Sequence, residues 1–211
     1  MKMKKTLRKA SSSAQGSAKQ RLRERLMRQL RLLSGDRKKM KDTKIKRMLS
    51  GLQQVKDAGI ISCYVSKPYE VGTRAIIKEL LRSKKKLAVP VARGDRMLMG
   101  LVRSVQELKK QKAPFGIAEP KTLRKVGRRK IEVVITPGIA FSREGYRLGH
   151  GKGYYDRFLK KYCGTKIGLA YSLQIVQRLP KEANDVPVDL IVTEEGIINA
   201  GATNAKRSRR H

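Results

Sequence analysis

The stretch Gly145-Tyr146-Arg147-Leu148-Gly149-His150-Gly151-Lys152-Gly153-Tyr154-Tyr155-Asp156-Arg157 is the densest chemical signal in the chain. Upstream, Ile131 to Ile135 is an apolar run stopped by Thr136-Pro137-Gly138, which predicts a buried strand. Downstream, Tyr154, Tyr155, Phe158, Leu159 and Tyr162 recur at helical spacing. In an open α/β sheet, a strand followed by a glycine loop and a helix is where ligands bind. Gly149, Gly151 and Gly153 alternate, so their backbone N–H groups are unshielded and can wrap phosphate oxygens. A helix N-terminus behind the loop favours the same negative charge. Arg147 adds a fork of donors and Lys152 a point charge. The spacing is neither that of a Walker A loop nor that of the dinucleotide fingerprint. Read alone, Asp156 either complements the helix dipole or serves as a ligand, and His150 either meets phosphate or is solvated.

Outward from the loop the strand–helix rhythm repeats. Ala18, Leu22, Leu26, Leu30 and Leu33 predict an amphipathic helix with a basic outer face. Ser34-Gly35-Asp36 stops it and starts a second, whose apolar face is Ile45, Met48, Leu49, Leu52 and Val55. Ile60 to Val65 reads as a strand, Ala75 to Leu81 as a helix, and Leu87-Ala88-Val89 as a strand closed by Pro90. Met97 to Val102 reads as a strand, Ser104 to Lys110 as a short helix, and 111–130 as loop. Lys166 to Ala170 and Leu190 to Thr193 are further strands, with Gly196-Ile197-Ile198 at an edge. The expected fold is α/β: a three-layer, mostly parallel open sheet with helices on both faces, Rossmann-like. Residues 1–17 read as a disordered basic extension, 18–200 as a single α/β domain and 201–211 as a basic tail.

The chain has 211 residues, 51 Lys+Arg and 17 Asp+Glu, a formal net charge of +34. With 39% hydrophobic residues it can still bury a core. No run of 18 apolar residues exists, so no transmembrane helix is expected. No apolar stretch follows the basic start, so no secretory signal is expected either. Cys63 and Cys163 are far apart and form no Cys-x-x-Cys, which excludes a zinc ribbon or a redox pair. The expectation is a reducing compartment: cytoplasmic, with the mitochondrion as the alternative. So positive a field attracts nucleoside triphosphates, polyglutamylated cofactors, RNA or anionic surfaces without naming one. Solubility alone is the plain alternative.

Thr136-Pro137-Gly138-Ile139-Ala140-Phe141 and Arg147 to Arg157 together resemble the signature of the 5-formyltetrahydrofolate cyclo-ligase (5,10-methenyltetrahydrofolate synthetase) family. The resemblance extends from about Ala18 to Ile198. Ala18-Lys19-Gln20-Arg21-Leu22-Arg23 resembles the family's N-terminal basic helix, and Glu70-Val71-Gly72-Thr73 its Glu-x-acidic-Thr element. Phe115-Gly116-Ile117-Ala118-Glu119-Pro120 resembles its aromatic loop. Gln174 and Leu179-Pro180-Lys181-Glu182-Ala183-Asn184-Asp185 resemble its closing segment. Gly72, Ala118 and Ser142 depart from the pattern, standing where an acidic residue, Pro and Asp are usual.

The resemblance implies an ATP- and Mg2+-dependent cyclisation of 5-formyltetrahydrofolate to 5,10-methenyltetrahydrofolate, with release of ADP and phosphate. It implies that ATP is held by Lys19, Arg21, Arg23, Arg147, Leu148, Gly149, His150, Gly151, Lys152, Gly153, Tyr154 and Tyr155, with Arg147 and Lys152 catalytic. It places the reduced folate, with or without a polyglutamate tail, against Val65, Glu70, Phe115 and Tyr154. Asp156 and Asp185 match the magnesium ligands. Without the resemblance, Lys19 to Arg23 is a solvated basic face, Asp185 a turn residue and Glu70 a helix-start residue. Phe115 and Tyr154 would then be ordinary packing aromatics. The alternative of another class is a family-derived protein that sits on nucleotide, RNA or a ribosome with little or no catalysis, with nonspecific RNA as its partner.

Overall fold

The computed structural model describes the backbone of residues 2–110 and 118–200, and the side chains of 16–108 and 118–200. Helix α1 (Lys2–Leu32) is followed by α2 (Gly35–Gly51) and α3 (Gln53–Asp57). Strand β1 (Ile60–Cys63) leads through α4 (Arg74–Arg82) to the hairpin β2 (Lys86–Arg93) and β3 (Arg96–Val102). Short strands β4 (Leu108–Lys110), β5 (Ala118–Pro120) and β6 (Arg124–Lys125) come next. Then follow β7 (Val133–Thr136), β8 (Ala140–Ser142), β9 (Arg147–Leu148) and α5 (Tyr154–Leu159). The chain closes with β10 (Thr165–Leu169), β11 (Ile175–Val176), β12 (Leu190–Val192) and β13 (Ile197–Asn199).

Eight strands form one sheet in the order β13-β12-β10-β7-β1-β2-β3-β6. Its centre, from β12 to β2, is parallel; β13, β3 and β6 are antiparallel additions at the two edges. The two-residue period of the central strands sorts their side chains between two cores. Ile61, Leu87, Val89, Val133 and Ile135 point to the face covered by α2 and α4, with Ile45, Leu49, Ile76 and Ile77. Ala88 and Val134 point the other way, toward Phe158 and Leu159 of α5. This is the expected three-layer α/β arrangement. Among the described residues, no helix is long and apolar enough to cross a membrane.

Several boundaries differ from those read in sequence. The helix expected from Ala18 starts at Lys2 and takes in residues 2–17, with no proline between Lys2 and Leu32 to interrupt it. The tail 201–211 lies outside the described residues. Pro90 does not close β2: the strand continues to Arg93, paired with β3. Pairing with β1 ends at Ala88, so the proline ring removes no ladder bond on that side. Ser104 to Lys110 is a 3-10 turn (Val105–Glu107) followed by β4, not a helix. The stretch read as loop holds β5 and β6, whose three and two residues are too few to show a period. The helix after the glycine loop ends at Leu159, three residues before Tyr162.

Candidate active site

The cavity opens at the carboxyl ends of the central strands, as in other open α/β sheets. Tyr64 and Val65 follow β1, Ala92 and Arg93 end β2, and Pro137 follows β7; all five line it. Its volume is about 420 Å³, the size of a small-molecule site. The glycine loop forms another wall. A three-stranded sheet, β11-β8-β9, sets its base, and β9 itself is Arg147-Leu148. Gly151 and Gly153 have φ of +90° and +64°, the left-handed region where other residues are strained. Tyr154 Oη donates to Gly94 O (2.8 Å), and Arg157 donates to Asp95 O through Nη2 (2.7 Å), so α5 is anchored on the β2–β3 turn.

Of the residues singled out in sequence, Lys19, Arg23, Val65, Glu70, Asp156 and Asp185 reach this cavity together with the whole run from Arg147 to Tyr155. Arg21 does not. It is exposed on the outer side of α1, two positions from Lys19, and residues two apart on a helix face away from each other. Phe115 lies outside the described residues.

The inward face of α1 carries Lys19, with a side chain only 11% exposed. Its Nζ donates to Glu182 Oε1 (2.8 Å) and Asp185 Oδ2 (3.4 Å). One turn on, Arg23 Nε donates to Gly149 O (2.9 Å) and ties α1 to the loop. Lys152 is exposed on the cavity rim and makes no ion pair with the described residues. Arg147 differs from the open phosphate fork read in sequence. Its side chain is 3% exposed, Nη1 donates to Val186 O (2.8 Å) and Nη2 to Asp156 Oδ1 (2.9 Å). Burial pulls the guanidinium below its usual range, while Asp156 pulls it back up.

Glu70 is buried, and desolvation raises its carboxyl above the ordinary range. Its Oε2 accepts from Lys67 N (2.8 Å). Gly72, where the family pattern has an acid, has a reason to be glycine. A Cβ there would lie 2.6 Å from Asp42 Oδ2, and Gly72 N donates to Asp42 Oδ1 (3.0 Å). Helix α2 thus brings a carboxylate to the place where the family's own acidic side chain would begin.

Other cavity residues escaped the sequence reading. Lys67, Arg93, Met97, Glu119 and Glu182 line it. Glu182 lay inside the quoted closing segment, and Lys67 three residues before Glu70. Glu119 lay inside the segment that resembles the family's aromatic loop, and Arg93 had no signal. They meet at 3.0 Å only because the β2–β3 hairpin brings Arg93 beside β5.

Asp156 and Asp185 have the donor chemistry for a hard divalent cation. Each uses one carboxylate oxygen in protein hydrogen bonds, Oδ1 and Oδ2 respectively, and keeps the other. Among the described residues no cluster of three or more acidic, His or Cys side chains forms a complete cage. Two carboxylates plus phosphate oxygens is the usual pattern for Mg2+.

An α/β protein with a basic glycine loop, two carboxylates and a buried glutamate in one cavity is an enzyme of the nucleotide-using class. The chain belongs to the 5-formyltetrahydrofolate cyclo-ligase family, whose model matches residues 15–194. The Haemophilus influenzae 5-formyltetrahydrofolate cyclo-ligase is 32% identical over 148 residues, 67% of this chain and 79% of its own. The Mus musculus enzyme of that name is 29% identical over 195 residues, 85% and 95% of the two chains. The solution structure of Aquifex aeolicus 5,10-methenyltetrahydrofolate synthetase, 35% identical, superposes with a TM-score of 0.76 over 86% of this chain and 92% of that one.

Proposed function

We propose that this cavity closes 5-formyltetrahydrofolate to 5,10-methenyltetrahydrofolate at the expense of ATP. The observation that carries the reading is the convergence of Glu70, the glycine loop, Asp156 and Asp185 on one cavity. The formyl oxygen takes the terminal phosphoryl of ATP. The neighbouring nitrogen attacks the activated carbon, loses its proton, and phosphate leaves. There is little covalent chemistry for the protein to perform, so positioning and charge stabilisation dominate.

The backbone N–H groups of Gly149, Gly151 and Gly153 cradle the triphosphate. Lys152, without a carboxylate partner among the described residues, is the cation placed on the transferring phosphoryl. Lys19 and Arg23 bring positive charge from α1. Arg147 holds Asp156 and the Val186 backbone in place, and its charge acts through that pair. Asp156 and Asp185 would hold Mg2+, which supplies charge neutralisation to the phosphates. Glu70, desolvated and offering Oε1, pairs with the N–H edge of the pterin, while Val65 and Tyr154 flank it. The free Cys63 and Cys163 fit a reducing compartment, and the cytoplasm is the location proposed.

The test is direct. Purified protein with 5-formyltetrahydrofolate, ATP and Mg2+ should develop the absorbance of the methenyl product, and omission of ATP should abolish it. Tight nucleotide binding with no absorbance change would favour the binding-protein alternative.

A further inference from the structure

Two segments that hold different parts of the cavity touch at one point. Tyr69 Oη and His150 Nε2 are 2.9 Å apart, with ring centroids at 5.8 Å. Tyr69 directly precedes Glu70 on the connection from β1 to α4. That connection is held firmly. Ser66 N donates to Thr73 Oγ1 (3.0 Å) and Thr73 N returns the bond to Ser66 Oγ (3.1 Å). Tyr64 Oη donates to Val71 O (3.0 Å), and Tyr171 Oη to Glu70 O (3.3 Å).

His150 sits at the tip of the glycine loop, between Gly149 and the left-handed Gly151. Glycines on both sides leave that tip few constraints of its own. One external tie is the Arg23–Gly149 bond to α1. The other is Tyr69. Both rings are in the state the bond needs. Burial and Glu70 push the Tyr69 hydroxyl up to about 12, so it keeps its proton. Desolvation with Lys67 and Arg23 pushes His150 down to about 4, so its ring is neutral and Nε2 can accept.

We infer that the Tyr69–His150 hydrogen bond couples the two halves of the cavity, so that nucleotide on the glycine loop strengthens folate binding at Glu70. Tyr69 is then a positioning residue: it acts through His150 and Glu70. The inference rests on the functional reading above, which assigns the two halves their ligands. A nucleotide that orders the loop fixes His150, and His150 fixes the Tyr69 side chain, whose backbone adjoins Glu70 on that firmly held turn. By linkage the effect is reciprocal: folate must strengthen nucleotide binding by the same factor. One neutral hydrogen bond corresponds to a coupling of about 2- to 10-fold.

The experiment measures dissociation constants of 5-formyltetrahydrofolate with and without a saturating non-hydrolysable ATP analogue and Mg2+, and of the analogue with and without the folate. The full-length protein and Tyr69→Phe are compared. Phe keeps the ring against His150 and under Lys67, 5.9 Å from Nζ, so the fold is retained. The expected result is mutual enhancement in the wild type and its loss in Tyr69→Phe, with each ligand's affinity alone unchanged. In turnover, the folate KM at saturating ATP should rise while kcat moves little. In a Tyr69→Phe background, His150→Ala should cause no further loss of coupling. Equal enhancement in wild type and Tyr69→Phe would overturn the inference and leave the functional reading standing. Failure of the wild type to bind either ligand would overturn both.

Discussion

Arg147 and Asp156 stand nine residues apart and form an ion pair at 2.9 Å, with the Arg147 side chain 3% exposed. The pair ties β9 to α5 across the glycine loop, so the loop is closed at its base by charge as well as backbone. Asp156→Asn keeps an oxygen for Arg147 but removes its counter-charge. Taking away one partner of a buried pair costs about 3–5 kcal/mol, and the retained acceptor lowers that figure. Urea unfolding of Asp156→Asn should therefore show a stability loss on the order of 2 kcal/mol. Asp185→Asn should lose under ~1 kcal/mol, because its cation, Lys19, still has Glu182 at 2.8 Å. Both variants should need more Mg2+ for half-maximal turnover. An Asp156→Asn protein as stable as wild type would show that Arg147 does not depend on it.

Gly149 and Gly151 should separate the loop's chemistry from its folding. A Cβ on Gly149 meets no atom within 4 Å, and its φ is not positive. Gly149→Val should thus leave the melting temperature nearly unchanged while weakening nucleotide binding through a side chain placed in the phosphate path. Gly151, at φ +90°, should lose about 1–2 kcal/mol on conversion to Ala. Calorimetry and nucleotide titration on the two variants check this; equal nucleotide affinity in Gly149→Val removes the loop from the site.

Glu70→Gln should weaken folate binding and spare nucleotide binding, since an amide offers the pterin edge a mismatched donor. It should also alter the pH dependence of stability. The carboxyl is raised in the folded protein, so the native state holds the proton more tightly than the unfolded chain. Its contribution is present at low pH and lost as pH rises through the raised value. Gln cannot ionise, so the variant's melting temperature should fall less than wild type's between the ordinary carboxylate range and neutrality.

His150 titrates in the opposite sense. Desolvation, and then the like charge of Lys67 and Arg23, depress its pKa to about 4 from 6.5, while Tyr69 faces it as a neutral partner. The unfolded chain binds the proton first, so this contribution is full above about 6.5 and is lost as pH falls toward 4. The ring is exposed on one side, and solvent screening keeps the effect small. His150→Gln should flatten the wild-type decline of melting temperature over that interval. An unchanged slope would show that the imidazole is not held neutral by its neighbours.

The surplus positive charge should bind polyanions apart from the cavity. Deleting 206–211 removes the positive charges of Lys206, Arg207, Arg209 and Arg210. The shortened protein should bind RNA more weakly, with a shallower dependence on salt, and turn over the folate at the full-length rate. A salt slope identical to the parent's would place the RNA contacts elsewhere.

The glycine spacing, the apolar run through Val133, Val134 and Ile135, and the four-residue rows of α1 depend on neighbours along the chain. The sequence by itself therefore determined the α/β class, the glycine loop and the place of Asp156 in the first turn behind it, whereas Asp185 was reached only through the family resemblance. Partners distant in sequence were settled only by the tertiary structure. Lys19 meets Glu182 across 163 positions because α1 packs beside the closing segment. Arg147 became a buried brace because β9 turns it toward Val186. Asp42 took the place beside Gly72 because α2 crosses the β1–α4 connection there. Arg21 was lost to solvent by helical phase alone, since the basic run shows its charges but not which of them faces the sheet. Charge and glycine content are additive along a chain; burial and pairing are set by which surfaces meet, and no local pattern encodes that.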